Sequence, residues 1–365
     1  MPYLSDSYGN PSSIHKMGRD ARDGVESSRE IVAGLLGCNE TEVLFTSGGT
    51  ESNNLAIKGV ALANRSRGKH IITSQVEHHA VLSVCEWLEE AGFDVTYLPV
   101  DSTGSVSPGD VEDGLRDDTI LVSIMHGNNE VGTIEPIGEI GGLTSERGIV
   151  FHTDAVQTFG HIPTDVGKLG VDLLSLSGHK IYGPKGIGAL YARNSIRVEP
   201  QIHGGGQEMK MRSSTENVPG IVGLGRAVEI ASRDMLERKE EILKLRRMIT
   251  RGILERIDQT RINGHPTRRL PNNCNTTIKF VEGESVVLRL DQRGIYASTG
   301  SACSSPDAEA SHVLEAMGLP PEDLHSSLRL TLGIHNTEEE VDLALDALVE
   351  IVEDLREMSP LWPPG

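Results

Sequence analysis

Two short polar segments of this chain bring an acid and a base to the ends of apolar runs. Residues 152–157 read His-Thr-Asp-Ala-Val-Gln and residues 175–180 read Ser-Leu-Ser-Gly-His-Lys. Ligands bind at the carboxyl ends of the strands in open α/β sheets, so Asp154 and Lys180 are candidates for one ligand site. A lone lysine or aspartate is usually a solvated surface charge, and the hypothesis therefore depends on the whole set of polar residues.

That set supplies each group that pyridoxal 5'-phosphate (PLP) needs from a protein: a carboxylate for the pyridinium nitrogen, a lysine for a Schiff base, and donors for the phosphate. Asp154 would keep the ring nitrogen protonated, and Gln157, three residues further on, could reach the ring hydroxyl. Ser177 and His179 flank Lys180 and can donate hydrogen bonds to a phosphate. The sequence therefore predicts a PLP site.

A third segment supports this hypothesis only in combination with the other two. Residues 47–52, Ser-Gly-Gly-Thr-Glu-Ser, follow the β-rich run 42–46 and precede a helical pattern that starts at Asn53. Free backbone N–H groups and hydroxyls at a helix N-terminus form a site for a phosphate or another anion. A capped helix after a tight turn explains the same residues equally well.

The chain has four cysteines, Cys38, Cys85, Cys274 and Cys303, and no C-x-x-C pair. This argues against a disulfide framework and against a self-contained zinc site. Cys303 lies within Ser-Thr-Gly-Ser-Ala-Cys-Ser-Ser-Pro (298–306), where small residues favour mobility and hydroxyl groups favour the exposure that a reactive thiolate needs. The other three lie in or beside apolar patterns and are expected to be buried as small hydrophobic residues.

Length and charge exclude several classes of function. The chain has 365 residues, of which 37% are hydrophobic, and a formal net charge of −19. This charge repels nucleic-acid phosphates and anionic lipids, so direct nucleic-acid binding is not expected. Residues 1–11 show no basic start followed by an apolar run, and no stretch approaches about eighteen apolar residues. We therefore expect neither export nor membrane insertion, and a cytoplasmic location.

The elements that must position these residues alternate along the chain. Seven short β-rich runs, separated by helical patterns, are EVLFT, HIITS, VTYLPV, TILVSIMH, IVFHTDAV, LLSLS and GALYA. This alternation is typical of an α/β fold with a mainly parallel sheet. A long helical stretch follows at 221–257.

Beyond that stretch the pattern predicts a smaller α+β unit. Its strands are TTIKFV, IYAST and SLRLTLG. One helix begins at Glu284, and a final helix runs from Thr337 to Met358. A chain of this length usually divides into two domains. We expect a large domain over residues 1–234 and a small C-terminal domain over residues 235–365. Residues 1–11 are candidates to pack on the small domain.

Seven motifs resemble those of the NifS/IscS cysteine desulfurases. In order between about Tyr8 and Trp362 they are SGGTESNNLAIKG, VEHHAVL, DDTILVSIMHGNNEVG, SGHKIYGPKGIGALY, HGGGQE, STGSACSS and HSSLRLTLG. The resemblance implies a PLP-dependent enzyme of transferase fold type I that converts L-cysteine to L-alanine. It also implies a persulfide on Cys303 and a role as sulfur donor for iron–sulfur cluster assembly.

The resemblance also implies a role for each matching residue. Lys180 would be the Schiff-base lysine, His78 would stack on the ring face, and Cys303 would be the nucleophile. The implied cofactor-binding residues are Gly49, Thr50, Asn129, Asp154, Gln157, Ser177, His179, Lys180 and Thr215. Arg329 would pair with the substrate carboxylate, near Asn129. His78 also has a simpler interpretation, as a helix cap or a surface residue.

Partners follow from the same resemblance. Thr215 matches a threonine that family members lend to the neighbouring subunit's phosphate site, which implies a homodimer. An IscU-type scaffold protein is the implied sulfur acceptor, and Cys303 is a candidate ligand for a [2Fe–2S] cluster shared with it. Two alternatives stay open: a class V aminotransferase or selenocysteine lyase that would not need Cys303, and an assembly partner without turnover, suggested by the short start before Tyr8.

Overall fold

The computed structural model describes residues 2–300, 310–360 and 362. The chain divides into two compact units. The first unit contains Met1–Leu98, Ser107–His126 and Glu135–Met235, and the second contains Pro99–Val106, Gly127–Ile134 and Leu236–Gly365. Two short segments that the sequence analysis assigned to the large domain, 99–106 and 127–134, thus belong to the second unit.

The first unit is an α/β unit with seven strands. Its helices are α1 (Pro2–Ser5), α2 (Lys16–Leu36), α3 (Gly49–Asn64), α4 (His79–Glu90), α5 (Pro108–Gly114), α6 (Ile137–Arg147), α7 (Val166–Leu169) and the first part of α8 (Val218–Arg256). Its strands are β1 (Val43–Thr46), β2 (His70–Ser74), β3 (Asp94–Leu98), β4 (Thr119–Ser123), β5 (Val150–Asp154), β6 (Leu173–Ser177) and β7 (Gly188–Ala192). Three short 3-10 helices lie at Glu40–Glu42, Gly178–Ile181 and Glu208–Lys210.

All seven strands join one sheet in the order β1-β7-β6-β5-β4-β2-β3. The central strands pair in parallel, whereas β7 runs antiparallel to both β6 and β1. The parallel strands β2, β4, β5 and β6 are buried along their whole length, which explains their continuous apolar runs. The predicted mainly parallel sheet is confirmed, and each of the seven β-rich runs contains a strand.

A chain of polar side chains crosses the middle of this sheet. The Ser123 hydroxyl lies 2.8 Å from Nδ1 of His152, and Nε2 of the same ring lies 3.0 Å from the Ser175 hydroxyl. Burial lowers the pKa of His152 to about 3, so the ring is neutral and each of its nitrogens has a hydroxyl partner. These contacts link β4, β5 and β6 two residues before the end of β5.

The second unit contains a small antiparallel sheet with the order β10-β9-β8. Its strands are β8 (Thr260–Asn263), β9 (Asn273–Ile278) and β10 (Ser327–Thr331), and its helices are the rest of α8, α9 (Gly283–Asp291), α10 (His312–Ala316), α11 (Pro321–Leu324) and α12 (Glu338–Met358). The predicted strand IYAST is wrong. Only Ser298 of that run pairs with β10, in an isolated bridge to Arg329, and a single paired residue does not make a strand.

Within the described parts of both units, no helix is long and apolar enough to cross a lipid bilayer.

The carboxyl ends of β2 and β4 are held together by a fully buried acid, Glu77. Its Oε1 accepts hydrogen bonds from the Ser74 hydroxyl at 2.7 Å and from the Met125 N–H at 2.9 Å. Burial raises the pKa of Glu77 to about 8, although both hydrogen bonds act in the opposite direction. Glu77 is therefore a neutral acid at pH 7, and it fixes the backbone immediately before His78.

We expect this acid to make the stability of the fold depend on pH. Below the unfolded-state pKa near 4.5 both states are protonated; as pH rises towards 8, only the unfolded state releases the proton, so stability falls. The fall amounts to at most about 1.4 kcal/mol per pH unit. Glu77→Gln should remove this dependence, as measured by urea unfolding at pH 5 and pH 8. The exposed Glu90→Gln is the control, and a Glu77→Gln effect that is the same at both pH values would contradict the prediction.

Candidate active site

Asp154 is the last residue of β5, and its carboxylate is buried with a hydrogen-bond donor on each oxygen. Asn53 Nδ2 donates to Oδ2 at 2.6 Å, and the Val156 N–H donates to Oδ1 at 2.9 Å. Burial raises the pKa of Asp154, while these two hydrogen bonds and the charges of His78 and Lys180 oppose the rise. A buried carboxylate of this kind is stabilised by a cation, and a protonated pyridine nitrogen is such a cation.

Lys180 lies in the 3-10 helix Gly178–Ile181 that directly follows β6. Its side chain is half-buried, and its charge acts on Asp154. The Lys180 carbonyl lies 2.9 Å from Nε2 of His161, and because a carbonyl can only accept, Nε2 carries the proton. Burial lowers the pKa of His161, so the ring is neutral. His161 thus holds the backbone of the lysine in place.

The N-terminus of α3 packs on the strand ends that carry these residues. A Cβ atom placed on Gly49 would lie 2.6 Å from Cγ2 of Val156 and 3.7 Å from Cβ of Ser177, so only glycine allows this approach. The helix cap, Gly48, makes no side-chain capping bond, and Thr50 is exposed in the first turn. A helix start of this kind offers backbone N–H groups to an anion. The anion site predicted from residues 47–52 thus lies next to Ser177.

His78 is the N-cap of α4, and its Nδ1 accepts a hydrogen bond from the Ala80 N–H at 3.0 Å. The simpler interpretation of this residue, a helix cap, is therefore correct. The same ring also acts electrostatically on Asp154, so the capping role does not remove it from the candidate site. The cap fixes the ring within electrostatic range of the Asp154 carboxylate.

Two further predicted cofactor residues lie on the segments that follow β5 and β6. Gln157 is half-buried in the turn beyond Asp154, and His179 is exposed next to Lys180. Burial and then the charges of Lys180 and Lys185 lower the pKa of His179, so it can donate to a phosphate as a neutral ring.

In the second unit, the structure brings two predicted substrate residues together. Arg329 lies in β10, and its Nη1 donates to the main-chain oxygen of Asn129 at 3.1 Å. The loop that carries Asn129 is shaped by Asn128, whose side-chain oxygen accepts the N–H groups of Glu130 and Val131. Residues Asn273 and Asn275 of β9 donate to the Glu130 carbonyl.

Cys303 falls in 301–309, outside the described residues. Of the other three cysteines, Cys85 and Cys274 are buried and Cys38 is half-buried. Burial raises the pKa of each of these three thiols, that of Cys38 to about 12. They are therefore protonated at neutral pH and poor nucleophiles. Thr215 is exposed in the loop after the 3-10 helix Glu208–Lys210.

Sequence reasoning missed Asn53 and His161. Both act through a hydrogen bond to a residue that it did identify, Asp154 for Asn53 and Lys180 for His161. The sequence carries no signal for Asn53, because its burial near the start of α3 and its Oδ1 without a hydrogen-bond partner are visible only in the structure. The donors, the buried carboxylate and the lysine of the first unit together fit PLP.

Comparison with known proteins agrees with this chemistry. The family described as Aminotransferase class-V matches residues 1–344. The cysteine desulfurase IscS of Methanosarcina thermophila is 57% identical over 363 residues, covering 100% of this chain and 90% of the relative. Cysteine desulfurase IscS 1 of Archaeoglobus fulgidus is 47% identical over 362 residues, covering 99% and 94%.

Solved structures give the same result. A structure titled NifS-like protein is 40% identical with a TM-score of 0.91, and the match covers 97% of this chain and 94% of that one. A second, titled SspA in complex with cysteine, is 40% identical with a TM-score of 0.81, covering 92% and 94%. The sheet order, the buried acid and the lysine after β6 thus occur in a chain that belongs to the cysteine desulfurases of the PLP-dependent class V aminotransferase family.

Proposed function

We propose that this protein transfers sulfur from L-cysteine to Cys303 and releases L-alanine. The observation that carries the proposal is the buried Asp154 carboxylate, whose pKa burial raises and which lies within the electrostatic range of Lys180. A lysine and a buried carboxylate with a perturbed pKa at adjacent strand ends are typical of functional sites. The cysteine seen with a similar structure supports the choice of substrate.

The first unit supplies the residues that would hold PLP. Asp154, which accepts hydrogen bonds from Asn53 and Val156, would pair with the ring nitrogen, and the start of α3 together with Ser177 would bind the phosphate. We assign Gln157 to the ring hydroxyl, His78 to the ring face, and Thr50 and His179 to the phosphate, whereas the role of Asn129 at the ring hydroxyl and the substrate carboxylate stays a prediction from the resemblance. When bound, PLP supplies an electron sink for the pair left at the substrate α-carbon.

Proton transfer falls to Lys180. Its Nζ takes the α-proton of the substrate and later returns a proton to the product. Because His161 holds the Lys180 carbonyl, we expect the amine to move by rotation of the side chain. Arg329 is the proposed partner of the substrate carboxylate, since its planar guanidinium suits a bidentate contact.

The proposed transfer of sulfur from L-cysteine to Cys303 needs no oxidant or reductant besides these two groups. The Cys303 thiolate attacks the substrate sulfur, a sulfur–sulfur bond forms, and the substrate carbon–sulfur bond breaks with its electron pair passing to carbon. Protonation of that carbon gives L-alanine, and Cys303 holds the persulfide. The alternatives, an aminotransferase or a selenocysteine lyase, would not need this thiol.

The proposal includes partners. We assign a homodimer in which Thr215 of each subunit completes the phosphate site of the other, and a small IscU-type scaffold as the sulfur acceptor. Cys303 is also a candidate ligand of a [2Fe–2S] cluster shared with that scaffold. The names of the relatives support a role in iron–sulfur cluster assembly. A cytoplasmic location stays a prediction.

Asp154→Asn should keep PLP but lose activity about 100-fold or more, because a neutral amide does not hold the charged ring nitrogen. Alanine formation from L-cysteine and the PLP content of the protein are measured together. Asp172→Asn is the matched control, since Asp172 is a partly buried carboxylate just before the start of β6 and should leave activity near wild type. Near wild-type alanine formation by Asp154→Asn would show that the assigned role is wrong.

Cys303→Ala should stop both alanine and persulfide formation while L-cysteine still changes the absorption spectrum of the bound cofactor. The thiol is the nucleophile, but it is not needed for binding. Cys38→Ala is the control, because its thiol is half-buried with a pKa of about 12 and should be silent. Continued turnover of L-cysteine by Cys303→Ala would favour the lyase or aminotransferase alternative.

A further inference from the structure

A strained stretch of backbone precedes Thr215. Glu208, Met209 and Lys210 have φ angles of 41°, 56° and 67°. Three consecutive non-glycine residues in this region are unusual, and each is energetically unfavourable, so surrounding contacts must impose the conformation. Strain of this kind is concentrated at functional sites. The contacts that impose it here involve Glu208 and Arg212, and the loop leads to Thr215.

The first anchor of the loop is the buried side chain of Glu208. Its carboxylate accepts hydrogen bonds from both terminal nitrogens of Arg29, each at 2.9 Å, and from the Phe45 N–H at 2.8 Å. Arg29 also donates to the Val43 carbonyl at 2.6 Å. Burial lowers the pKa of Arg29, but the bonds to Glu208 outweigh it and raise the pKa above its ordinary value. This bidentate pair ties the loop to α2 and β1.

The second anchor is Arg212, which is bonded to Glu51 in the first turn of α3. Nε of Arg212 donates to Oε1 at 2.9 Å and Nη2 donates to Oε2 at 3.3 Å, and Oε2 also accepts the Ser47 N–H. Burial would raise the pKa of Glu51, yet the bonds from Arg212 and Ser47 lower it below its ordinary value. The turn that starts α3 is thus bonded directly to the loop.

Internal hydrogen bonds make the loop compact up to Thr215. The Ser213 hydroxyl donates to the Gly205 carbonyl at 2.8 Å, and the Ser214 N–H donates to the side chain of Gln207 at 3.2 Å. Thr215 follows at once and is exposed. These hydrogen bonds therefore fix the backbone that precedes Thr215, while the Thr215 side chain itself is exposed.

The positive charge of Arg212 also affects how the start of α3 would interact with an anion. A carboxylate in the first turn of α3 is favoured by the helix dipole, but it would repel a phosphate bound at the same helix start. The guanidinium of Arg212 neutralises Glu51 and leaves the backbone N–H groups of the turn to an incoming anion.

We propose that Arg212 is a positioning residue that joins two cofactor sites: its bond to Glu51 orders the phosphate turn of its own subunit and fixes the loop that presents Thr215 to the partner. This inference rests on the proposed homodimer, in which Thr215 crosses to the other subunit. It predicts that a substitution in one subunit weakens PLP binding at a site whose own residues are all intact.

Heterodimers made from two differently tagged subunits test this. One subunit is wild type, and the other carries Lys180→Ala together with Arg212→Ala, so that borohydride can fix PLP at residue 180 in the wild-type subunit alone. The apoprotein is titrated with PLP, and the fixed cofactor is counted by mass spectrometry. We expect half-loading to need about tenfold more PLP, which corresponds to about 1.4 kcal/mol. Arg212→Lys, which keeps the charge without the planar fork, replaces Arg212→Ala if that subunit does not fold.

Three further heterodimers, each also with Lys180→Ala, separate the outcomes. Thr215→Ala should weaken loading similarly, and Arg212→Ala added to it should cause no further loss. Arg226→Ala, which removes an exposed arginine paired with Glu229, should have no effect. Unchanged loading with Arg212→Ala beside weakened loading with Thr215→Ala would overturn the inference and leave the dimer intact, as would an additive loss. Unchanged loading with Thr215→Ala would overturn the crossed dimer itself and the inference with it.

Discussion

A buried carboxylate without a permanent cationic partner is costly, and the first unit is organised around one. Asp154 ends a fully buried strand, so its charge cannot be solvated, and two hydrogen bonds from Asn53 and Val156 offset only part of the burial. The nearby charges of His78 and Lys180 act in the same direction as these hydrogen bonds, but burial still raises the pKa of the carboxyl group. The uncompensated cost of burial supports the proposed contact between this carboxylate and the protonated ring nitrogen of PLP.

Most of the large sheet could be predicted because its strands depend on local pattern, and the residues proposed for the site lie where those strands end. Buried parallel strands read as apolar runs, and the polar residues that end them, Asp154 and Ser177, stand out in sequence. The partners did not stand out, since Asn53 meets Asp154 across 101 residues and Glu208 meets Arg29 across 179. No periodicity encodes such pairs. The strand expected at 295–299 failed for the converse reason, because its residues favour a strand but only Ser298 is paired.

The described ion pairs differ greatly in what they contribute. Most lie on the surface, such as Lys16 with Asp20, where solvent and salt reduce the interaction to between about 0 and 1 kcal/mol. Arg29 with Glu208 and Arg212 with Glu51 are shielded, geometrically bidentate, and join segments far apart in the chain. Their value lies in fixing one arrangement of the loop before Thr215, which weaker surface contacts do not do.

The antiparallel strand β7 has a consequence for the lysine. Since Ser177 of β6 pairs with Gly188 of β7, residues 178–187 form a hairpin connection closed at its base, instead of a long crossover to a parallel neighbour. Lys180 therefore lies three residues beyond the paired Ser177, and its carbonyl is hydrogen-bonded to His161. The Lys180 backbone is thus held in place, and we expect its amine to change position by rotation about the side-chain bonds. The length of the methylene chain limits how far the amine can reach, so any atom that exchanges a proton with it must lie within that distance of the backbone.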